Sequence, residues 1–216
     1  MNKMYTILGN LQIIFQIILW LLSFYWLDFE LFTYILNDYY FIKIISGLII
    51  MWSQLFLFQY FLCVAQTDSI YEVENDTELQ NIQERLDYTT CKKCNLTRPK
   101  RAHHCRYCNK CVLKMDHHCF SLNKCIGENN YNYFIKYIIM IELNSSYIFW
   151  IGIYVLFNYY SEIKLFGCIK YGILVFVSFM ESCGLFFYLL FHIYLNLADL
   201  TTLEVIYPSL RVKSKK

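Results

Sequence analysis

The sequence predicts an all-α polytopic membrane protein: four transmembrane helices, with a cytosolic cysteine-rich domain between helices 2 and 3. Three observations predict it. The 216-residue chain is 57% hydrophobic and 19% aromatic with only 17% charged residues, too apolar for a soluble domain of that length. Four apolar segments are long enough to cross about 30 Å of hydrocarbon at roughly 20 residues per helix. Seven of the ten cysteines crowd between Cys91 and Cys125, with four histidines among them.

The spans are expected over Met4 to Leu27, Tyr40 to Ala65, Tyr133 to Tyr160 and Tyr171 to Leu197, each flanked by polar residues. The first is too long for the apolar core of a secretory signal, has a single preceding lysine (Lys3), and is followed by no small-residue cleavage site, so it is expected to remain as a span. The organisation that follows is residues 1–65 for helices 1 and 2, 66–90 for a linker, 91–132 for the cysteine-rich domain, 133–197 for helices 3 and 4, and 198–216 for a tail.

Positive residues accumulate on the cytoplasmic side of short loops. Ten lysines and arginines lie between residues 66 and 132, and Arg211, Lys213, Lys215 and Lys216 follow the last span. The loops on the other side hold only Lys164 and Lys170. The cysteine-rich domain and both termini are therefore expected in the cytosol. The acidic run Asp68, Glu72, Glu74, Asp76 and Glu78 reads as a solvated linker face. A net charge of +2 gives no argument for nucleic acid, and the basic loop suits anionic headgroups or an anionic substrate instead.

Disulfides are improbable in a cytosolic loop, so metal is the default reading of its cysteines. The spacing is CKKC at 91 to 94, HCRYC at 104 to 108, CNKC at 108 to 111, DHHC at 116 to 119, then Cys125. Each Cys-x-x-Cys pair sets two thiolates on one tight turn, the knuckle of a tetrahedral zinc site. Two sites of three cysteines and one histidine would use six of the seven cysteines and two of the four histidines. One thiol and two imidazoles are then spare, and spacing does not say which. The competing reading, in which every cysteine binds metal, needs a site of four thiolates or a multinuclear cluster.

The run Cys91-x2-Cys94, Arg98-Pro99-x-Arg101-x2-His104-Cys105-x2-Cys108-x2-Cys111-x4-Asp116-His117-His118-Cys119-x3-Asn123-x-Cys125-x-Gly127-x2-Asn130 resembles the cysteine-rich domain of the DHHC protein S-acyltransferases, or palmitoyltransferases. Four spans with this loop between the second and third match that family's topology, and Thr201-Thr202-Leu203-Glu204 is similar to its TTxE motif. The resemblance implies two structural zinc ions, one on Cys91, Cys94, His104 and Cys111, the other on Cys105, Cys108, His118 and Cys125. It leaves Cys119 as the nucleophile, His117 as its base and Asp116 as the partner of His117, with Thr202, and Thr201 beside it, supporting Asp116.

The residues are consistent with that division. If His117 to Cys119 is extended, His117 and Cys119 share one face while His118 takes the other. A free thiol has a pKa of about 8.5, so a neighbouring base must raise its thiolate fraction at neutral pH. The implied reaction passes a fatty acyl group from acyl-coenzyme A, with palmitoyl-coenzyme A the expected donor, to Cys119 and then to an accessible cysteine of a membrane-associated protein. Arg98, Arg101 and His103 are candidate partners for the coenzyme phosphates, and Phe134 for the substrate. Lipid headgroups are the competing occupants of the basic side chains. The bilayer is a partner too, in the Golgi, the endoplasmic reticulum or the plasma membrane.

The chain departs from the family pattern in having Phe120-Ser121 where Pro-Trp is usual, Lys124-Cys125-Ile126-Gly127 for Asn-Cys-Val-Gly, and a short tail in which only Tyr207-Pro208 is left of the motif found there. These changes bear on the shape of the acyl pocket and supply the alternative function, a catalytically impaired, zinc-stabilised scaffold. A transporter reading has little to stand on without broken helices or an internal repeat. Glu142 and Glu181 each fall near mid-membrane and are expected as helix glue; a sharper expectation has them facing each other and closing the bottom of an acyl cavity. His192 is expected at a helix interface, and Cys63, Cys168 and Cys183 as packing residues.

Overall fold

The computed structural model of the chain describes residues 11, 14, 18, 40–71, 88–159 and 164–211. Their order is α1 (Tyr40–Gln66), β1 (Tyr88–Thr90), β2 (Thr97–Pro99), β3 (His103–Cys105), β4 (Lys110–Val112), β5 (His117–Cys119), β6 (Lys124–Ile126), α2 (Tyr131–Asn158), α3 (Lys164–Leu197), α4 (Thr202–Ile206) and a 3₁₀ turn, Pro208–Leu210.

Among these residues three helices are long and apolar enough to cross a membrane, over Gly47–Gln66, Tyr131–Asn158 and Gly167–Leu197. The span expected over Met4 to Leu27 lies outside the described residues except for Leu11, Ile14 and Ile18, which are helical. Most of the acidic linker run and the last lysines of the tail also lie outside them. In lipid a helix satisfies every backbone N–H and C=O within one segment, and both prolines of the chain, Pro99 and Pro208, fall outside α1, α2 and α3. α3 begins at Lys164 rather than Tyr171, because no proline and only one glycine, Gly167, stand in the way.

Two compact units divide the chain, one of Met1–Phe15, Leu62–Phe134 and Ile193–Lys216, the other of Gln16–Phe61 and Ile135–His192. In the second, Trp150, Phe157, Phe176 and Phe187 are exposed, as a lipid-facing surface requires. A Cβ on Gly152 would sit 2.6 Å from a Val175 methyl, so that glycine is what lets α2 approach α3. Ser53 and Gln54 both donate to Asn144 Oδ1, at 3.1 and 3.0 Å. Ser146 and Ser182 donate to Glu142 Oε1 at 2.9 and 2.8 Å. Glu142 is therefore helix glue, and the expected pairing with Glu181 is corrected. One residue of helix is a turn of about 100°, which brings Ser182 to Glu142 and leaves Glu181 exposed. His192 is buried between Tyr188 and Phe191, with ring centroids 4.5 and 5.7 Å away.

The all-α description does not extend to the segment between α1 and α2. Six three-residue strands form three separate antiparallel pairs, β1 with β2, β3 with β4 and β5 with β6. Each pair is closed by a turn that carries an asparagine in the left-handed region: Asn95 (φ 55°), Asn109 (φ 54°) and Asn123 (φ 48°). Asparagine enters that conformation more readily than most residues, because its short polar side chain bonds locally. The buried centre of this unit is small: Cys105, Val112, Met115 and Cys125, with Tyr107, Cys108 and Leu203 against them.

The tail returns to this centre through a sharp helix stop. Leu200 N–H bonds Leu195 O at 2.9 Å and Asp199 N–H bonds Asn196 O at 3.2 Å, with Asp199 left-handed at φ 47°. That is a Schellman end with aspartate where glycine is usual. Arg101 and Lys114 hold the Asp199 carboxylate at 3.1 and 2.9 Å, which offsets the backbone cost.

Candidate active site and metal centres

Two groups of soft donors stand in the first unit: Cys91, Cys94, His104 and Cys111 in one, Cys105, Cys108, His118 and Cys125 in the other, all ligand atoms of a group within 4.8 Å of one another. Zinc at about 2.3 Å from sulfur and 2.0 Å from nitrogen has tetrahedral edges of about 3.7 Å between sulfurs and about 3.5 Å from sulfur to nitrogen. In the second group the Nδ1 of His118 is 3.5 to 3.6 Å from each sulfur, and Cys108 is 3.4 Å from Cys125. In the first, Cys94 is 3.7 Å from Cys111 and 3.1 Å from His104 Nδ1. Both donor sets fit zinc, and three thiolates with one imidazole leave no open coordination position. The hairpins interleave the two sets, since His104 and Cys111 are paired across β3 and β4 while the next residue, Cys105, turns to the other set.

β5 sorts the DHHC run in the same way. His118 pairs across the strands with Cys125 and shares its metal, while His117 and Cys119 take the opposite face. Asp116 just before the strand is buried, and its Oδ2 lies 2.7 Å from His117 Nδ1. His117 hydrogen-bonds Cys119, and its ring packs edge-on against Phe134 at 5.3 Å. Burial works against a charge on His117, but its bonds to Asp116 and Cys119 outweigh that and hold its pKa up at about 9. Burial likewise opposes the Asp116 charge, and the bonds from His117 and Thr202 override it, keeping the carboxyl below its usual range.

The tail supplies the rest of the Asp116 environment. Thr202 donates its backbone N–H to Asp116 Oδ1 at 2.8 Å and its hydroxyl to Oδ2 at 2.7 Å. Thr201 does not touch Asp116. It is the N-cap of α4, in a capping box with Glu204. Glu204 is buried and receives two nitrogens of Arg101, each at 2.8 Å.

The family model for DHHC palmitoyltransferase matches residues 84–208, more than half of the chain. The chain belongs to the DHHC palmitoyltransferase family. It is thus a protein S-acyltransferase, of a family that uses acyl-coenzyme A and protein substrates in membranes. Comparison with curated proteins gave no match.

Several residues occupy places in this DHHC domain that the sequence did not indicate. Arg101, expected to meet phosphate, spends its guanidinium on Glu204 and Asp199. Arg98 donates one nitrogen to Cys111 Sγ at 3.7 Å, while its Nε and the Nε2 of His103 are buried with no hydrogen-bond partner. Burial, and after it the Arg98 charge, lowers the His103 pKa. Phe134, expected at the substrate, is 1% exposed and packs on His117. Phe120 turns to the zinc side, its ring 5.0 Å from His118 and 4.9 Å from Tyr107, so it does not replace the usual tryptophan next to the thiol.

Two residues that the motif contains without a role assigned have structural ones. Asn130 is fully buried, its amide bonding Thr67 O, Cys125 O, Gly127 N and Ser69 Oγ, which ties the end of α1 to the second zinc hairpin. A Cβ on Gly127 would come within 2.5 Å of Leu113 O, so only glycine fits there. The Glu204 cap was legible as a Thr-x-x-Glu pattern; the partner of Glu204 was not.

Proposed function

We propose that Cys119 is the acylated nucleophile of this palmitoyltransferase, that His117 is its base, and that Asp116 and Thr202 orient and charge-stabilise His117. The observation that carries this reading is that His117, bonded to Asp116, shares with Cys119 the face of β5 opposite the zinc ligand His118. With Nδ1–H donated to Asp116, the Nε2 of His117 is the atom that takes the Cys119 proton. The thiolate attacks the thioester carbonyl of a fatty acyl-coenzyme A, the carbon–sulfur bond to coenzyme A breaks, and the coenzyme leaves as a thiol carrying the proton. A cysteine of a membrane-associated protein then takes the acyl group by the same exchange. Both steps trade one thioester for another, so the site contributes positioning and charge stabilisation rather than driving force. Zinc, when bound, folds the hairpins and takes no part in the exchange.

Arg98 and His103, a cation and an imidazole of the basic loop, are the proposed phosphate contacts, with lipid headgroups the competing partners. Arg101 acts at one remove, by fixing Glu204. The lysine and arginine distribution supports a cytosolic cysteine-rich domain and cytosolic termini, with four spans, the first over 4–27 and the others carried by α1, α2 and α3. At about 0.8 kcal/mol per buried CH2 the acyl chain prefers the bilayer while coenzyme A stays in water.

The test is incubation of purified protein with palmitoyl-coenzyme A. A hydroxylamine-labile adduct that is lost in Cys119→Ser is expected. A wild type that binds two zincs and forms no adduct would overturn the reading in favour of the scaffold.

A further inference from the structure

Lys124 opens β6 directly opposite Cys119 in the register of the second hairpin. Side chains directly opposite in an antiparallel pair leave the same face, with Cβ atoms about 5 Å apart. A lysine stem reaches across such a gap, so an amine is placed where it can meet an acyl group carried on Cys119. The side chain is held elsewhere. Its Nζ bonds the backbone oxygen of Ala65 in the last turn of α1 and pairs with Asp68 Oδ1 at 3.0 Å. Lys124 also borders a cavity of about 390 Å3 with Ala65, Asp68, Leu122, Asn123 and the zinc-ligand cysteines Cys108 and Cys125. The Lys124 side chain is 15% exposed and that of Asp68 60%, so solvent reaches the ion pair from the aspartate side.

We propose that Lys124 is a latent second acyl acceptor, and that its clamp by Asp68 and the Ala65 carbonyl keeps the acyl group on Cys119 as a thioester. The inference rests on Cys119 being the acylated nucleophile. In the step that the clamp suppresses, the Lys124 ammonium gives one proton to solvent and the neutral amine attacks the thioester carbonyl. A carbon–nitrogen bond forms, the carbon–sulfur bond breaks, and its electron pair leaves on the Cys119 sulfur, which takes the second proton. The product is an Nε-acyl-lysine amide and a free Cys119. An amide is far more stable than a thioester, so the transfer ends turnover and does not reverse.

The experiment uses the full chain in detergent, loaded with palmitoyl-coenzyme A, with peptide mass spectrometry of hydroxylamine-resistant product. Asp68→Ala is expected to raise the amide at Lys124 about threefold over wild type, the size that loss of a partly exposed ion pair supports. Lys124→Arg, which keeps the cation but not the nucleophile, removes the amide and keeps the labile adduct. Labelled Cys119 with no amide on Lys124 in Asp68→Ala overturns the proposal. A second arm needs no acylation: o-phthalaldehyde joins a thiol and an amine in contact as a fluorescent isoindole. A Cys119–Lys124 isoindole, mapped by peptide, is expected in Asp68→Ala and not in Lys124→Arg, and its absence from Asp68→Ala also overturns the proposal. Loss of the acyl adduct in wild type counts instead against the acyl-Cys119 reading, so the two failures are told apart.

Discussion

Between Tyr88 and Phe134 the chain is held by two ligand sets, a buried amide hub at Asn130 and a bidentate ion pair from Arg101, around a buried centre of four residues. In the unit of Gln16–Phe61 and Ile135–His192 the material is opposite: apolar helices with wide exposed faces, joined among the described residues by a few serine, asparagine, glutamine and glutamate bonds. The difference follows from what each segment can bury. A loop of three-residue strands has too little apolar area to offset its conformational entropy, so directional bonds and metal must do so. The helices already satisfy their backbones, and lipid accepts what packing leaves exposed. Specific contacts therefore decide the structure of the loop, whereas in the helical unit they only adjust it.

Zinc removal breaks the comparison most severely. Chelation, or Cys108→Ser, is expected to unfold the hairpins by removing on the order of 10 kcal/mol of binding energy, while the helices persist. Zinc release measured beside far-ultraviolet circular dichroism checks both halves, and parallel loss of helix would overturn the contrast. Next in size is Arg101→Met, which leaves Glu204 buried and unpaired at a cost of about 3 kcal/mol. Limited proteolysis after Ala198 should accelerate accordingly, and a double change of Arg101 and Glu204 to methionine should recover part of the loss. Thr202→Val removes the hydroxyl bond to Asp116 and keeps the backbone one, for about 1.5 kcal/mol or about tenfold in the rate of adduct formation, with zinc content unchanged. In the helical unit Ser182→Ala should cost only about 0.6 kcal/mol, the usual worth of an interhelical hydrogen bond in lipid, as read from detergent-induced unfolding.

What could be read from the sequence follows the same division. Hydropathy sufficed for α1, α2 and α3, because length and composition are what the bilayer selects. Counting thiols against tetrahedral sites gave one spare cysteine, and alternation along an extended strand explains why it is accompanied by His117 and not His118. Three-residue strands carry no periodicity to detect, so the hairpins could not be seen. Nor could Arg101 be matched to Glu204, 103 positions away, when a phosphate was as good a partner for it on chemical grounds. The same limit applies to Glu142, whose neighbour on α3, Ser182, is one residue from the carboxylate that depth in the membrane alone would pair with it. Phe120 lies in a turn, where neither a strand nor a helix rule says which way a ring points.

The bond from Thr202 to Asp116 closes a separation of 86 residues and crosses two helices to do so. A ribosome therefore finishes the DHHC run long before it makes the residue that braces it. Until α3 has been synthesised and its end has turned at Asp199, the histidine that would activate the thiol has an aspartate held on one side only. A chain released early would carry every zinc ligand and the nucleophile, yet lack the brace that readies them. The site thus keeps time with synthesis, and its last part arrives only when the membrane part has been made.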